Sequence, residues 1–211
     1  MQIFAFGDSI THGFWDLKGG WVSRLRAELD KAQAGRGNVY FSVYELGVPG
    51  DTTRDLLGRF DAELKARIVD ADKGEQIRVL FSIGTNDAAS RKEGEKQVPL
   101  LEFEANIDVL AEKALRTTNK VTFISTFPID EARTTPCQWS GKYCANANFM
   151  EYNNAIKKMC KARNLLFIDI YGKLIKKNYR ELLEDGLHPN SKGHQRIYKL
   201  VSRALRKNGY L

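Results

Sequence analysis

The sequence predicts an α/β fold in which a central five-stranded parallel sheet lies between two layers of helices. Short apolar segments alternate with amphipathic helical segments from end to end, a pattern typical of parallel strands that helices cover on both faces. The connections are mostly short, and crossovers between parallel strands are right-handed. The composition, 43% hydrophobic and 28% charged over 211 residues, is ordinary for a globular protein. The simplest architecture is therefore a doubly wound, flavodoxin-like three-layer α/β/α sandwich.

Ten segments make up the alternating pattern. The predicted strands cover residues 2–6, 39–46, 77–83, 121–126 and 165–168. The predicted helices cover residues 20–34, 52–66, 103–117, 149–163 and 191–207. This βαβαβαβαβα order, at this length, predicts one domain that spans residues 1–211.

Local patterns support the first, third and last of these elements. The first strand is an apolar run that stops on the small and polar residues 7–9, and the third is an apolar run that stops at Gly84. In the last helix, basic residues recur at spacings of four, three and four, with apolar residues on the other side, as in an amphipathic helix. The basic residues are Lys192, Arg196, Lys199 and Arg203.

Two segments depart from the alternation. Residues 88–101 form a charged, loop-like insertion after the third strand, and residues 128–147 form a longer one after the fourth strand. The longer segment carries Arg133, Trp139 and Tyr143. Both segments are expected over the carboxyl rim of the sheet, where long loops commonly form binding walls or lids. Surface decoration is the alternative for both.

The net charge of +7 is unevenly distributed. Residues 150–211 hold 14 Lys/Arg and 5 Asp/Glu, which gives +9, and residues 1–149 carry −2. A basic region of this kind can bind nucleic acid or an anionic surface. Here, however, basic residues form a solvated face of the last helix, and neither aromatic interleaving nor a nucleic-acid motif accompanies them. We therefore expect no nucleic-acid partner, and the oligomeric state is left open.

The three cysteines do not form a disulfide framework. Cys137 and Cys144 bracket a loop-like segment and could pair in an oxidising compartment, whereas Cys160 falls in a helical pattern and is expected in the core. The sequence contains neither a CxxC pair nor the Cys/His spacing of a zinc site. It therefore predicts no metal site and no cofactor.

The sequence leads us to expect neither a membrane-spanning helix nor a secretory leader. No apolar run approaches the roughly 18 residues of a membrane helix, so no integral membrane association is expected. The apolar run of the first strand begins at Ile3, which leaves no room for a charged leader, an apolar segment and a cleavage site. The expected location is the cytoplasm, although a trimmed secreted chain would look the same.

Polar residues follow the first three predicted strands. Ser9 follows the first strand, Gly47 follows the second, and Asn86 follows the third. In a doubly wound sheet, ligands bind beyond the carboxyl ends of the strands. The topology therefore brings these three residues to the same rim.

Ser9 can act as a nucleophile only if a base takes its proton. His188 is the best candidate, because Asp185 three residues earlier can accept from one ring nitrogen and leave the other facing Ser9. The proline that follows disfavours helix at His188, so the pair is predicted on a loop, with Asn190 or Ser191 capping the last helix. A capping-rich loop with a surface histidine is the alternative.

The other two histidines are weaker candidates for the base. His12 comes from the turn that leaves Ser9, and nothing near it in sequence is spaced to orient its ring. His194 falls within the last predicted helix, where a packed or exposed structural role is expected.

A carbonyl under attack develops negative charge on oxygen, which fixed donors must stabilise. The candidate donors are the backbone N–H of Ser9, the backbone N–H of Gly47 and the side-chain amide of Asn86. Gly47 suits this task because a residue without Cβ lets a substrate approach the backbone. Alternatively, Gly47 makes a strand-to-helix turn and Asn86 caps a local element.

Four residues are further candidates for substrate binding: Asp8, Asp87, Trp139 and Tyr143. The two aromatic residues come from the long segment after the fourth strand. Asp8 is also expected to orient the serine turn by accepting backbone hydrogen bonds, and Asp87 is similarly placed to orient the amide of Asn86.

Together these residues carry a family resemblance. The sequence resembles GDSL-type esterases of the SGNH hydrolase superfamily, whose four motif blocks contribute a serine, a glycine, an asparagine and a histidine. The matching blocks are residues 7–11, 46–53, 84–87 and 185–189, in the family order and across nearly the whole chain. Two departures are Ile10, where the family name implies leucine, and Glu45, where many members have asparagine two residues before the glycine.

The resemblance implies a flavodoxin-like fold and a metal-independent serine hydrolase that cleaves a small-molecule ester through an acyl-enzyme. It implies that Ser9 is the nucleophile and first oxyanion donor, that Gly47 and Asn86 complete the oxyanion hole, and that Asp185 and His188 complete the triad. Family members act on lysophospholipids, thioesters, aryl esters and acetylated sugars. The sequence shows no obvious apolar lid, and the long loop after the fourth strand carries Arg133, Trp139 and Tyr143. Together these features favour a short acyl group on a polar alcohol such as a sugar, with a lipolytic hydrolase of longer acyl chains as the alternative.

Two other classes of function remain open. A metallophosphoesterase could use a set of ligands from the same rim, although the dense Asp/His spacing of that class is absent. That set would be Asp8, His12, Asn86, Asp87 and His188. A non-catalytic protein that binds anions or carbohydrates could instead use the fold and its basic C-terminal third.

Overall fold

A computed structural model of the chain describes residues 1–34, 40–68, 77–92 and 94–211. The strands in this part of the chain are β1 (Gln2–Gly7), β2 (Ser42–Gly47), β3 (Ile77–Ser82), β4 (Ser90–Lys92), β5 (Glu95–Lys96), β6 (Val121–Ile124) and β7 (Leu166–Ile168). Five of them form a parallel sheet in the order β2-β1-β3-β6-β7. The predicted five-stranded parallel sheet is confirmed, and its order is that of a flavodoxin-like fold.

The helices that surround the sheet differ greatly in length. The long ones are α2 (Gly20–Gln33), α3 (Thr53–Arg67), α5 (Leu100–Leu115), α7 (Asn146–Ala162) and α9 (Ser191–Lys207). The short ones are α1 (Ser9–His12), α4 (Thr85–Ala88), α6 (Glu131–Thr134), α8 (Tyr171–Leu174) and a 3₁₀ turn (Arg180–Leu182). Among the described residues, no helix has both the length and the apolar character that crossing a membrane requires.

The main differences from the predicted elements are local. The strand predicted over 39–46 begins at Ser42, and Val39 lies outside the described residues. The charged insertion was expected to be a loop, but it contains the antiparallel pair of β4 and β5. The short helices were not predicted, because four residues are too few to show a helical period.

Side chains of the sheet alternate between two cores. On β1, Phe4 and Phe6 belong to one buried cluster, and Ile3 and Ala5 belong to the other. This alternation follows from the two-residue period of a strand. Residues of α3, α5 and α7 complete the first cluster, and residues of α2 and α9 complete the second. Both faces of the sheet are therefore covered, as parallel strands require.

The sheet has its topological switch point between β1 and β3. These strands are neighbours, while β2 lies on the outer side of β1. Ser9 follows β1, Gly47 is the last residue of β2, and Asn86 lies in the first turn after β3. The crevice outside such a switch point is where doubly wound sheets bind ligands.

Candidate active site

Ser9 lies on a sharp turn from strand to helix. Asp8 caps α1, and its Oδ1 accepts a hydrogen bond from the backbone N–H of Ile10 at 2.9 Å. A Cβ on Gly7 would lie 2.1 Å from Thr11 Oγ1 and 2.3 Å from the Ser82 carbonyl oxygen. Only glycine therefore lets the chain turn so tightly between β1 and β3 and present Ser9 at the rim.

The Ser9 hydroxyl, the His188 ring and the Asp185 carboxylate form a continuous relay. Ser9 Oγ lies 2.9 Å from His188 Nε2, and His188 Nδ1 lies 2.7 Å from Asp185 Oδ2. Asp185 Oδ1 accepts from the backbone N–H groups of Leu187 at 2.9 Å and His188 at 2.8 Å. This geometry allows an imidazole to take the hydroxyl proton while a carboxylate fixes its tautomer.

Asp185 is held in its ionised form. Burial alone would raise the pKa of this carboxyl group, but the hydrogen bonds from His188 and from two backbone N–H groups lower the pKa well below its usual range. The carboxylate therefore keeps its charge at any pH at which the His188 ring could act as a base.

The loop that carries His188 is fixed at both of its ends. The N–H of Glu184 donates to the His188 carbonyl at 2.9 Å, and Arg133 Nη1 donates to the Glu184 carbonyl at 2.9 Å. Asn190 caps α9 by accepting from the N–H groups of Lys192 and Gly193. The predicted loop position of the Asp–His pair and the predicted cap of the last helix are therefore both present.

Aromatic side chains enclose the His188 ring, which is only 4% exposed. The ring of Phe14 lies 5.1 Å from it and the ring of Trp139 lies 5.5 Å from it, measured between centroids. Trp15 donates from Nε1 to Asp185 Oδ2 at 2.9 Å. Trp139 was a candidate from the sequence, but Phe14 and Trp15 were missed. Their only signal was two consecutive large aromatic residues in a turn near Ser9.

The backbone N–H of Gly47 is already engaged in this structure. It donates to Glu45 Oε1 at 2.6 Å, and Glu45 Oε2 lies 3.3 Å from His12 Nδ1. A Cβ on residue 47 would lie 2.3 Å from the His12 nitrogen and 2.6 Å from the Asp8 carbonyl oxygen. Glycine is therefore required for β2 to approach the serine turn, and its N–H faces a carboxylate that also lies at this rim.

The side-chain amide of Asn86 is oriented by two partners. Its Nδ2 donates to the Asp51 carbonyl oxygen at 3.0 Å, and its Oδ1 lies 3.4 Å from Lys142 Nζ. An amide nitrogen carries two hydrogens, so one remains for a ligand. Lys142 comes from the long loop after β6 and was not singled out from the sequence.

Asp8 and Asp87 do not line the cleft. They are 1% and 0% exposed, so the expectation that they contact substrate is not met. Asp87 accepts from the Thr53 N–H at 2.9 Å and from the Thr53 hydroxyl at 2.5 Å. These two bonds join α4 to the start of α3. Burial raises the pKa of each carboxyl group to about 6.

An arginine beneath the rim connects several of these parts. Arg59 Nε donates to Asp51 Oδ2 at 2.7 Å. Its Nη2 donates to the carbonyl oxygens of Gly7 at 3.1 Å and Leu46 at 2.9 Å. Arg59 thus joins the ends of β1 and β2 to the residue that orients Asn86, a role that its place in a helical pattern did not indicate.

The remaining sequence candidates lie near the site in other roles. Tyr143 is joined through its backbone to Ser90, with N–O distances of 2.8 and 2.9 Å. His194 is fully buried, and its Nε2 lies 3.2 Å from the Phe14 carbonyl oxygen. Cys137 and Cys144 are buried free thiols with their sulfur atoms 3.9 Å apart.

No metal-binding arrangement is present in the described part of the chain. Its His, Cys, Asp and Glu side chains form no group of three or more that could hold an ion. The ligands considered for a metallophosphoesterase are all described, and they are engaged in the separate contacts given above.

The sequence matches the model of the GDSL-like Lipase/Acylhydrolase family over residues 5–196. A similar solved structure is the lipase/acylhydrolase from Enterococcus faecalis, which is 25% identical, with a TM-score of 0.75 over 98% of this chain and 96% of that chain. The acetylxylan esterase Axe2 from Geobacillus stearothermophilus is 22% identical, with a TM-score of 0.72 over 97% of this chain and 93% of that chain. LAE5, an alpha/beta hydrolase enzyme from the metagenome of Lake Arreo, Spain, is 23% identical, with a TM-score of 0.72 over 96% and 94%. No curated protein matches the sequence significantly.

Proposed function

The chain belongs to the GDSL-like lipase/acylhydrolase family, and we propose that it hydrolyses carboxylic esters through an acyl-enzyme formed on Ser9. The observation that carries this proposal is the relay from Ser9 Oγ through His188 to Asp185, with distances of 2.9 and 2.7 Å. A serine hydroxyl is a weak nucleophile without such a base.

In the acylation step, Ser9 Oγ attacks the carbonyl carbon of the ester while His188 Nε2 takes the hydroxyl proton. The ring then carries a positive charge, which the ionised Asp185 stabilises. When the tetrahedral intermediate collapses, the bond to the alcohol oxygen breaks and His188 returns the proton to that oxygen. The alcohol leaves, and the acyl group remains on Ser9.

Deacylation repeats this chemistry with water. His188 takes a proton from the attacking water, and the serine oxygen receives that proton as the acid leaves. In both steps the negative oxygen is held by the N–H of Ser9 and the free amide hydrogen of Asn86. The Gly47 N–H contributes as a third donor when it bonds the substrate oxygen as well as Glu45, or when the Glu45 side chain rotates away from it.

We place the preferred substrate among short-acyl esters, such as acetyl esters, of a polar or carbohydrate alcohol. Trp15 and Trp139 stand beside the catalytic pair with 57% and 56% of their surface exposed. Such large, rigid aromatic faces with a polar edge suit a partly polar ligand. The likeness in fold to Axe2, described as an acetylxylan esterase, agrees with this choice.

A lipolytic hydrolase of longer acyl chains is the second candidate. The observation that favours it is that three apolar side chains in the segments after β1 and β2, Phe14, Leu17 and Val48, are exposed, and Leu17 fully so. Exposed apolar side chains near a site can bind an apolar ligand. A long acyl chain could contact them.

Acetyl, butyryl and octanoyl esters of one alcohol, together with an acetylated sugar, distinguish the two candidates. The first candidate predicts the highest kcat/KM for acetyl esters, with a loss on the sugar ester in W139A. The second predicts that the octanoyl ester is turned over fastest and that L17S selectively slows it. A clear preference for the octanoyl ester would overturn the short-acyl assignment without affecting the serine mechanism.

A further inference from the structure

We propose that Trp15 is a positioning residue for the Asp185–His188 pair and acts through the hydrogen bond from its indole N–H to the Asp185 carboxylate. The inference rests on the proposed catalytic role of that pair. It concerns a residue that lies 170 positions from its partner in sequence.

The bond ends on the same oxygen that holds the catalytic imidazole. Asp185 Oδ2 accepts from Trp15 Nε1 at 2.9 Å and from His188 Nδ1 at 2.7 Å. Backbone N–H groups hold the other oxygen, Oδ1. Without Trp15, the oxygen that faces His188 would keep one protein donor, and its other lone pair would be open to water.

The backbone of Trp15 is in a conformation that a large side chain rarely adopts. Its φ is 64°, in the left-handed region. A residue with a Cβ pays roughly 1 kcal/mol or more for this conformation. Such strain persists only where the surrounding structure holds it, and it is found most often at functional sites.

Buried groups hold the loop of residues 13–19 that carries Trp15. The Phe14 N–H donates to the Ser9 carbonyl oxygen at 3.0 Å, and the Phe14 carbonyl oxygen accepts from His194 of α9 at 3.2 Å. Burial lowers the pKa of His194 to about 4, so its ring is neutral. With Nδ1 free of a described partner, the proton is assigned to Nε2.

Asp16 fixes the other side of the same loop. Its carboxylate accepts from the N–H of Lys18 at 3.2 Å and of Gly20 at 3.1 Å, and it forms an ion pair with Arg24. Arg24 also donates to Ser191 Oγ, at the start of α9, at 3.0 Å. The loop is therefore joined to the helix that begins just after His188, and the distance from Trp15 to the Asp–His pair is set by rigid elements.

The proposed contribution is to orientation. Two donors on one oxygen restrict rotation of the carboxylate, and the indole covers that oxygen on its outer side. The imidazole then spends more of its time aimed at Ser9, which raises the rate of each proton transfer and leaves ground-state binding of the ester unchanged.

W15F tests the proposal, because phenylalanine keeps an aromatic ring and removes only the donor. We expect kcat on an acetyl ester, and the rate of labelling by a fluorophosphonate, to fall by about threefold to tenfold with little change in KM. K18A is the matched control, because Lys18 lies in the same exposed loop and its side chain makes no described contact with Asp185. In W15F, the Nδ1 proton resonance of His188 in isotope-labelled protein should also broaden through faster exchange.

A double-mutant cycle separates positioning from general loop stability. If Trp15 acts through the carboxylate, W15F has no further effect on the labelling rate in a D185N background. W15F activity equal to that of K18A, or the same loss from W15F with and without D185N, would overturn the inference. Neither result would affect the serine mechanism, which fails separately if Ser9→Ala is still labelled.

Discussion

The backbone N–H of Gly47 donates to Glu45 Oε1 across 2.6 Å. The Gly47 N–H is one of the three donors proposed to hold the negative oxygen of the intermediate, and here it is already bonded to a carboxylate. Glu45 is also held from its other side, since its Oε2 lies 3.3 Å from His12 Nδ1. Negative charge that develops on the substrate therefore meets a negative side chain already in place.

The variant E45Q is expected to raise kcat. Glutamine keeps an acceptor for the Gly47 N–H but removes the charge. Two like charges roughly 5 Å apart in a solvated site repel by about 1 kcal/mol, which corresponds to about fivefold in rate. Steady-state kinetics on an acetyl ester at neutral pH measure the effect.

The control for this prediction is H12Q. It removes the partner of the other Glu45 oxygen and leaves the carboxylate on Gly47, so kcat should not rise. If E45Q instead lowered kcat severalfold, the Glu45 charge would accelerate the reaction, and it would have to act on the substrate or on water.

The variant R59K is expected to lower both stability and activity. Lysine retains a positive charge beside Asp51 but cannot also reach the carbonyl oxygens of Gly7 and Leu46. Two lost buried hydrogen bonds correspond to about 1 to 3 kcal/mol of unfolding free energy, measured by urea denaturation. R54K is the control, because the Arg54–Glu102 pair is exposed and contributes little. Equal denaturation midpoints for R59K and R54K would contradict the role given to Arg59.

The variant D8N is expected to stabilise the protein at alkaline pH and much less at acidic pH. The folded-state pKa of Asp8 is raised from 3.8 to about 6 by burial. Below the unfolded value both states hold the proton, and as the pH rises through the folded value the folded state loses stability. Between about pH 4 and about pH 7.5 this loss amounts to about 2 kcal/mol.

Asparagine does not ionise, so D8N avoids this pH-dependent loss of stability. Its side-chain oxygen still accepts from the Ile10 N–H as a helix cap. The gain in melting temperature from D8N over the native protein should therefore grow as the pH rises across this window. D8A, which loses the cap, should show a smaller gain. A gain that does not depend on pH would show that folding does not raise the pKa of Asp8.

The fold and the reactive pair were predictable from the sequence because each depends on short-range patterns. Short continuous apolar runs and helices with a period near 3.6 define the layers, and the order of the strands then brings Ser9 and Asn86 to one rim. Asp185 and His188 are three residues apart on one loop, so their contact needs no knowledge of the fold.

The missed features depend on long-range packing. Trp15 contacts Asp185 only because the loop of residues 13–19 and the loop before α9 lie close together at the rim, and no local sequence pattern predicts this contact. Asp8 and Asp87 were predicted as candidates for substrate binding, and no local pattern shows that both side chains are buried. Their burial follows from the tight approach of α1, α3 and α4 beneath the site, which leaves no opening to solvent.

The hairpin in the charged insertion after β3 was also not predictable from the sequence. Apolar residues do not recur regularly in this segment, so a loop was expected over 88–101. The pairing of β4 with β5, and of Ser90 with Tyr143, instead uses backbone groups that every residue carries. Hydrophobic periodicity cannot predict a hairpin of this kind.

Covalent labelling by a fluorophosphonate tests the central proposal most directly. The proposed mechanism predicts that the native protein is labelled once, that peptide mapping places the label on Ser9, and that Ser9→Ala abolishes it. His188→Ala should slow labelling by about a thousandfold, and a metal chelator should change nothing. A native protein that turns over esters without being labelled, or a Ser9→Ala variant that is labelled as fast as the native protein, would contradict it.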